Sequence, residues 1–252
     1  MVNETTSTAD SRAAEIKPQQ SAKKLMLWIG IIGIVMFFSS LLSAFIVSKG
    51  GKFWVNISLP QAFWISTGVI IGSSLTLNMA LQAIKKNNLS LNKVMLLVTL
   101  VLGVVFAVFQ FIGYNQLINS GNYFTAKIMK SNGKEFELKG EYGKDFTITY
   151  NEQILEYKEG RLFFPGGKEL NAAQYEVLKS ADNMASSYIY VISALHIIHL
   201  LAGLLYLLYV TILAHLNKFD GSNYFKISQI SVYWHFLGVL WIFLFLFFQF
   251  IH

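Results

Sequence analysis

The chain has 252 residues, of which 54% are hydrophobic, 15% aromatic and only 13% charged. A soluble globular domain has roughly 25% charged residues, so the composition excludes an ordinary soluble domain and indicates a membrane protein. There is no cysteine, which excludes disulfides, thiolate metal sites and iron–sulfur clusters. The net charge is +6, but residues Lys127 to Asp182 contain nine basic and ten acidic side chains. The basic excess therefore lies close to the apolar segments, where it predicts membrane orientation and not nucleic-acid binding.

Residues 1–22 are polar and have no apolar stretch next to Met1. This segment is typical of a disordered cytoplasmic arm, not of a cleaved signal peptide. The first apolar segment would then act as its own uncleaved insertion signal.

Five runs of the chain contain no Asp, Glu, Lys or Arg: Leu25–Ser48, Phe53–Ile84, Val94–Ala126, Asn183–Asn217 and Ile227–His252. Each run exceeds the roughly 20 residues that a helix needs to cross a bilayer. Since hydrocarbon cannot satisfy backbone polar groups, the spans should be helices. The predicted fold class is an all-α membrane protein, with five transmembrane helices in a bundle. Helices 1–3 fall within residues 23–118, and helices 4 and 5 fall within residues 183–252.

The segment 119–182 is the only substantial water-soluble part of the chain. Stretches such as DFTITYN alternate apolar and polar residues, and EYGK and KEGR are typical turns. We predict a small β meander between helices 3 and 4. A unit of this size is too small for a deep core of its own, so it should pack on the membrane domain or on a partner.

Lysine placement predicts the orientation of the chain. Basic residues precede the first span and occupy the connections between spans two and three and between spans four and five. The N-terminus is therefore expected to be cytoplasmic, and five crossings leave His252 and the 119–182 segment on the periplasmic side.

Histidines are the only groups in the spans that titrate near neutral pH. His196 and His199 share one helix face, since residues three apart lie on the same side, and they could face a helix that carries His235. Three imidazoles could bind copper or zinc, but a spacing of three cannot place two haems. The favoured alternative is hydrogen bonding across helices or to a lipid headgroup. The absence of carboxylates and lysines from the spans argues against an autonomous ion translocator.

Small and hydroxylated residues mark the second span, in the stretch IGSSLTLNMA. Ser73 and Ser74 in this stretch are typical of close helix packing. Trp234 in the last span is interpreted as part of an interfacial aromatic belt or as a packing residue.

Four stretches occur in the order of a known family, one in each of the last four spans: STGVIIGSSLTLNMA, LGVVFAVFQFIGY, LHIIHLLAG and YWHFLGVLWIFLF. Together they resemble subunit III of haem–copper oxidases such as cytochrome c oxidase. The resemblance covers about residues 25–252, except the extramembrane segment. Five spans resemble the short bacterial form, which lacks the first two of seven helices.

The resemblance implies a non-catalytic accessory subunit III of a respiratory terminal oxidase, located in the bacterial inner membrane. Haem and copper would belong to partner subunits, and no catalytic, cofactor or metal residue is expected in this chain. It would pack beside the catalytic subunit I and other oxidase subunits, bind phospholipid and support assembly and stability. The candidate lipid-contacting or helix-packing residues are His196, His199, Trp234, His235, Ser73 and Ser74. Alternatives are a component of a quinol oxidase or nitric oxide reductase, or a stand-alone scaffold or transporter.

The chain departs from the family pattern at three acidic positions, which here are Ile34, Gly113 and Gly238. The 119–182 segment is a further departure, because the family has a short loop there. Its predicted outer position suggests contact with a neighbouring subunit or an electron-donating complex.

Overall fold

Six helices make up most of the computed structural model, which describes residues 3–50, 53–130, 135–220 and 223–251. The helices are α1 Asn3–Lys49, α2 Gln61–Lys85, α3 Leu89–Asn119, α4 Ala172–Ser180, α5 Met184–His215 and α6 Phe225–Phe250. All except α4 contain a segment long and apolar enough to cross a membrane, which in α1 begins at Gln20. The predicted fold class of five spanning helices with a small strand-containing insertion is confirmed.

Helix α1 begins at Asn3, so the backbone is helical within the segment for which we predict a disordered arm. Residues 1–2 lie outside the described residues, as does His252 at the end of the last span. Helix propensities of ordinary residues differ by less than about 1 kcal/mol, so a short polar segment changes between helix and coil at small cost. The disorder of residues 1–22 stays a prediction.

Helix α6 lies at the centre of the bundle and α1 at its edge. In the most apolar window of α6, 56% of the residues are buried, compared with 17% in α1. Helices α2 and α3 form an antiparallel hairpin, and α6 contacts α1, α2 and α5. Three of the other four spans thus pack around one aromatic helix.

The strands form two small sheets rather than one meander. In the first sheet, β1 (Phe53–Ile57) pairs antiparallel with β2 (Phe146–Tyr150), which pairs with β3 (Gln153–Ile154). In the second, β4 (Glu156–Lys158) pairs with β5 (Arg161–Phe163). Strand β1 is unexpected, because it lies in the connection between α1 and α2 and not in the 119–182 segment. Its residues, FWVNI, favour a strand, and Pro60 immediately precedes the first residue of α2.

The β1–β2 pairing decides which connections share a side of the bundle. Strand β1 follows α1, whereas β2 follows α3. The two connections must therefore lie at the same end, as they do when successive helices cross in alternate directions. At the opposite end, Lys93 Nζ donates to Asn217 Oδ1 over 2.7 Å, which joins the start of α3 to the residues after α5.

The 119–182 segment packs directly on the membrane helices. The Trp54 ring of β1 lies edge-to-face with the Phe45 ring of α1, at 4.9 Å between centroids. Asn183, at the start of α5, donates from its backbone to the Ala126 carbonyl over 2.7 Å and from Nδ2 to Asn122 Oδ1 over 3.0 Å. Because buried apolar residues continue from the sheets into the bundle, the outer segment and the helices share one core.

Replacing Trp54 with alanine should lower the free energy of unfolding by about 3–5 kcal/mol, the usual cost of removing a large buried aromatic ring. Trp54 is 2% exposed, and its loss opens a cavity between the sheet and α1. Thermal unfolding in detergent measures the effect. Trp28→Ala is the matched control, because Trp28 is 55% exposed on α1. Equal melting temperatures for the two variants would contradict the shared core.

Candidate functional site in the helix bundle

Trp234 occupies the centre of the bundle, on α6. Its side chain is fully buried, and its Nε1–H donates to Ser73 Oγ on α2 over 3.0 Å. Ser73 uses its own proton to donate to the Ile70 carbonyl over 2.8 Å. The serine oxygen is therefore available as the acceptor for the indole, and the pair joins α2 to α6 by a hydrogen bond within the apolar core.

Gly103 on α3 makes room for the same indole. A Cβ built at Gly103 would lie 2.7 Å from Trp234 Cη2 and 2.8 Å from Leu204 Cδ2. Only a glycine lets the backbone of α3 approach these two side chains so closely. The geometry at Trp234 and Ser73 favours the packing interpretation of these residues over a lipid-contacting one.

Ser74 lies at a second close approach between α2 and α6. A Cβ at Gly238 would lie 3.3 Å from Ser74 Oγ and 3.5 Å from Ile70 Cγ1. The absence of a side chain at Gly238 thus permits close contact between the two helices.

The three histidines of the sequence analysis have different surroundings. His196 is fully buried between the rings of Trp241 and Phe106, with centroids at 5.3 and 6.2 Å. His199 is half-buried, and its Nδ1–H donates to the Leu195 carbonyl of its own helix over 2.7 Å. His235 is half-buried on α6.

The geometry gives no support to a metal site built from these histidines. Within the described ranges, no group of three or more His, Cys, Asp or Glu side chains is arranged to hold a metal ion. His199 uses its Nδ1 for a backbone hydrogen bond, and His196 lies among aromatic rings.

A band of buried polar contacts joins the helices at positions that the sequence patterns do not single out. Gln110 Nε2 donates to Ser66 Oγ over 3.0 Å, and Tyr114 OH donates to Ser193 Oγ over 2.9 Å. Trp241 Nε1 donates to Thr67 Oγ1 over 3.1 Å. The signal was available in the sequence, because a polar residue within an apolar span needs a partner on a neighbouring helix. Which residue is the partner depends on how the helices pack.

Phe63 occupies the space beside Gly113, where the family pattern has an acidic residue. A Cβ at Gly113 would overlap the Phe63 ring. That ring packs edge-to-face on Tyr114 and Trp241, at 6.2 and 5.7 Å. The third departure, Ile34, is half-buried on α1. The Phe63 ring therefore fills the space in which a side chain on Gly113 would start.

These helices and their interhelical contacts define a multi-pass membrane protein. Residues 167–251 match the family model described as cytochrome c oxidase subunit III. This stretch contains α5 and α6 and, with them, His196, His199, Trp234 and His235. This C-terminal third of the chain is therefore similar to subunit III of cytochrome c oxidase.

Curated relatives match over a similar length. Cytochrome c oxidase subunit 3 of Drosophila yakuba is 37% identical over 67 residues, which are 26% of this chain and 25% of the relative. The subunit 3 of Pylaiella littoralis is 33% identical over 66 residues, 26% of this chain and 24% of the relative. The subunit 3 of Spodoptera frugiperda is 33% identical over 67 residues, which are 26% of this chain and 45% of the relative. The chain thus spans a quarter to less than half of the relatives that it matches.

Replacing Gly103 with alanine should lower the free energy of unfolding by about 1–3 kcal/mol, the usual cost of overpacking a core. The new methyl group would push Trp234 away from Ser73. Melting temperature and tryptophan fluorescence in detergent report the change. Gly72→Ala is the control, because a Cβ at Gly72 meets nothing within 4 Å; alanine there should stabilise α2 slightly through its helix propensity. Equal effects at the two glycines would contradict the close approach at Trp234.

Proposed function

We propose that this chain is a non-catalytic accessory subunit of a respiratory haem–copper terminal oxidase, and that it supports assembly and stability beside the catalytic subunit I. The observation that carries the proposal is the family match over residues 167–251. It coincides with α5 and with α6, the central helix of the bundle. The other segments that resemble the family lie on α2 and α3 and pack against these two helices.

Haem and copper are assigned to partner subunits. The chain has no cysteine, and the part of it that the structure describes has no cluster of metal-ligating side chains. Several of its buried polar groups join helices to one another, as in the Trp234–Ser73 pair. Such a bundle can present a rigid apolar surface to a larger membrane subunit.

The location that we propose is a bacterial inner membrane, with the N-terminus cytoplasmic and the 119–182 segment periplasmic. The basic residues of the α2–α3 and α5–α6 connections lie at the end opposite the sheets, and the Lys93–Asn217 hydrogen bond holds the two connections together. Lysines accumulate on the cytoplasmic side of membrane proteins.

Purification through a tag on this chain, in mild detergent, tests the oxidase proposal. We expect haem absorbance and oxygen consumption to co-purify with the chain, because the subunit is bound to its catalytic partner. Three assays on the same material distinguish the types of complex. Oxidation of cytochrome c indicates a cytochrome c oxidase, oxidation of a quinol indicates a quinol oxidase, and reduction of nitric oxide indicates a nitric oxide reductase. A colourless chain without oxygen consumption would favour the stand-alone scaffold or transporter and contradict the proposal.

The outer segment is proposed to contact a neighbouring subunit or an electron-donating complex. The exposed Tyr157 and the partly buried Phe136 and Tyr142 form an aromatic patch at its surface, with centroids 5.1–5.9 Å apart. Lys130 donates a hydrogen bond to Glu135 at the rim and lowers the pKa of that carboxyl group. An apolar patch with a charged rim is typical of a protein-binding surface.

Point variants test this patch better than removal of the segment, because removal would also take away the strand that pairs with β1. In the purification described above, Tyr157→Ala should reduce the yield of a co-purified partner. Tyr123→Ala, at a similarly exposed tyrosine outside the patch, is the control. Equal partner yields would exclude the patch as the contact surface.

A phospholipid site is proposed in the groove between α3 and α5, at the basic end of the bundle. The groove has a volume of about 360 Å³, and its walls include Leu97, Leu100, Leu208 and Ile212. His215 also lines it, and Lys93 lies one turn before Leu97 on α3. An acyl chain fits such apolar walls, and a lysine near the membrane surface attracts anionic headgroups. The occupant that we propose is therefore an anionic phospholipid.

Replacing Lys93 with glutamine should lower the amount of anionic phospholipid retained by the purified protein several-fold, because the headgroup loses its cationic partner. Glutamine keeps a polar group of similar reach toward Asn217. Lipid extraction followed by mass spectrometry measures the retained lipid. Lys144→Gln, in the outer segment, is the control. If the Lys93 variant retained as much anionic phospholipid as the unchanged protein, the lipid site would be contradicted. The oxidase proposal does not depend on this result, because the co-purification experiment tests it separately.

A further inference from the structure

Three polar atoms in the bundle have no hydrogen-bond partner among the described residues: Oε1 of Gln110 and both ring nitrogens of His196. The two side chains are fully buried. Buried polar atoms in proteins are nearly always paired, either with protein groups or with ordered water. The unpaired polar atoms of Gln110 and His196 therefore need hydrogen-bond partners within the apolar core.

The orientation of the Gln110 amide follows from its neighbour. Ser66 Oγ donates its single proton to the Phe63 carbonyl over 2.9 Å. It can only accept from Gln110, so the amide nitrogen faces Ser66, at 3.0 Å. The amide oxygen must then point away from α2 and needs a donor from elsewhere.

The register between α3 and α5 sets Gln110 and His196 at the same level of the helix pair. Tyr114 contacts Ser193 through a hydrogen bond, and Gly103 faces Leu204 further along the same pair of helices. The two contacts are eleven residues apart on both helices, which is the signature of an antiparallel pair in constant register. The same register sets Gln110 opposite Ile197, the residue next to His196.

The neighbouring donors are already in use. Trp241, which packs on the His196 ring, donates its indole proton to Thr67. The Tyr114 hydroxyl donates to Ser193. Phe106 covers His196 from α3 and has no polar group to offer. Protein groups at this level therefore leave both Gln110 Oε1 and His196 without a donor or acceptor.

We propose that a resident water molecule bridges Gln110 and His196 across the α3–α5 interface. The water donates one proton to Gln110 Oε1. It completes the bridge at a His196 ring nitrogen, either by accepting from the N–H or by donating to the unprotonated nitrogen, according to the tautomer. Buried waters of this kind satisfy otherwise unpaired groups and belong to the fold. His196 then contributes to helix association through a water rather than through a metal or a lipid.

The direct test is a structure of the purified protein or its complex at a resolution that shows ordered water. We expect density within hydrogen-bonding distance of both Gln110 Oε1 and a His196 ring nitrogen. A direct hydrogen bond between the two side chains, or the absence of density between them, would overturn the proposal. This measurement needs no variant and does not depend on the oxidase assignment.

A double-mutant cycle is the second test. Gln110→Leu and His196→Leu should each lower the melting temperature, and the double variant should melt no lower than the less stable single variant, because the water is lost with either partner. Gln110→Leu combined with Thr211→Val is the control, since Thr211 bonds within α5 to the Leu207 carbonyl near the other end. The control pair should be additive. Additive losses for Gln110 and His196 would overturn the bridge.

Discussion

The indole of Trp234 sets the distances between three helices. Its N–H reaches Ser73 on α2, and its ring lies against the bare backbone of α3 at Gly103. In a bilayer, helix association gains little from the hydrophobic effect and depends on close packing and interhelical hydrogen bonds. The Trp234 contact supplies both at one point, so the positions of α2, α3 and α6 depend on it.

The outer segment extends this arrangement instead of folding apart from it. A unit of about 60 residues buries a smaller share of its surface than a larger domain does, so it is only marginally stable on its own. Here it receives a strand from the α1–α2 connection, and Trp54 on that strand packs on Phe45 of α1. Beside the first sheet, the Tyr142 hydroxyl donates to the Leu155 carbonyl over 2.7 Å. Burial raises the pKa of this hydroxyl. A partner that binds the outer surface would therefore contact a unit held rigidly by the membrane helices.

The departures from the family pattern are accommodated by packing. At Gly113 the ring of Phe63 fills the space where an acidic side chain would start, and at Gly238 the backbone of α6 approaches Ser74. This chain therefore has no carboxylate at these positions to perform a role that the family assigns to such groups. The polar groups that remain, such as Gln110 and Tyr114, bond to neighbouring helices. The bundle is held at these positions by close contacts between helices.

The sequence by itself determined the five spans, because a long charge-free run in hydrocarbon can satisfy its backbone only as a helix. It also offered Trp234 and Ser73 as candidates for helix packing, and its motifs on α2, α3, α5 and α6 resemble those of oxidase subunit III. Only the tertiary structure separated β1 from α2, since the run from Phe53 to Ile84 is uniformly free of charge and the partner strand lies far along the chain. Likewise, the packing of Trp234 against Gly103 and the unpaired ring nitrogens of His196 depend on distances between helices. The periodicity within one helix cannot predict these distances.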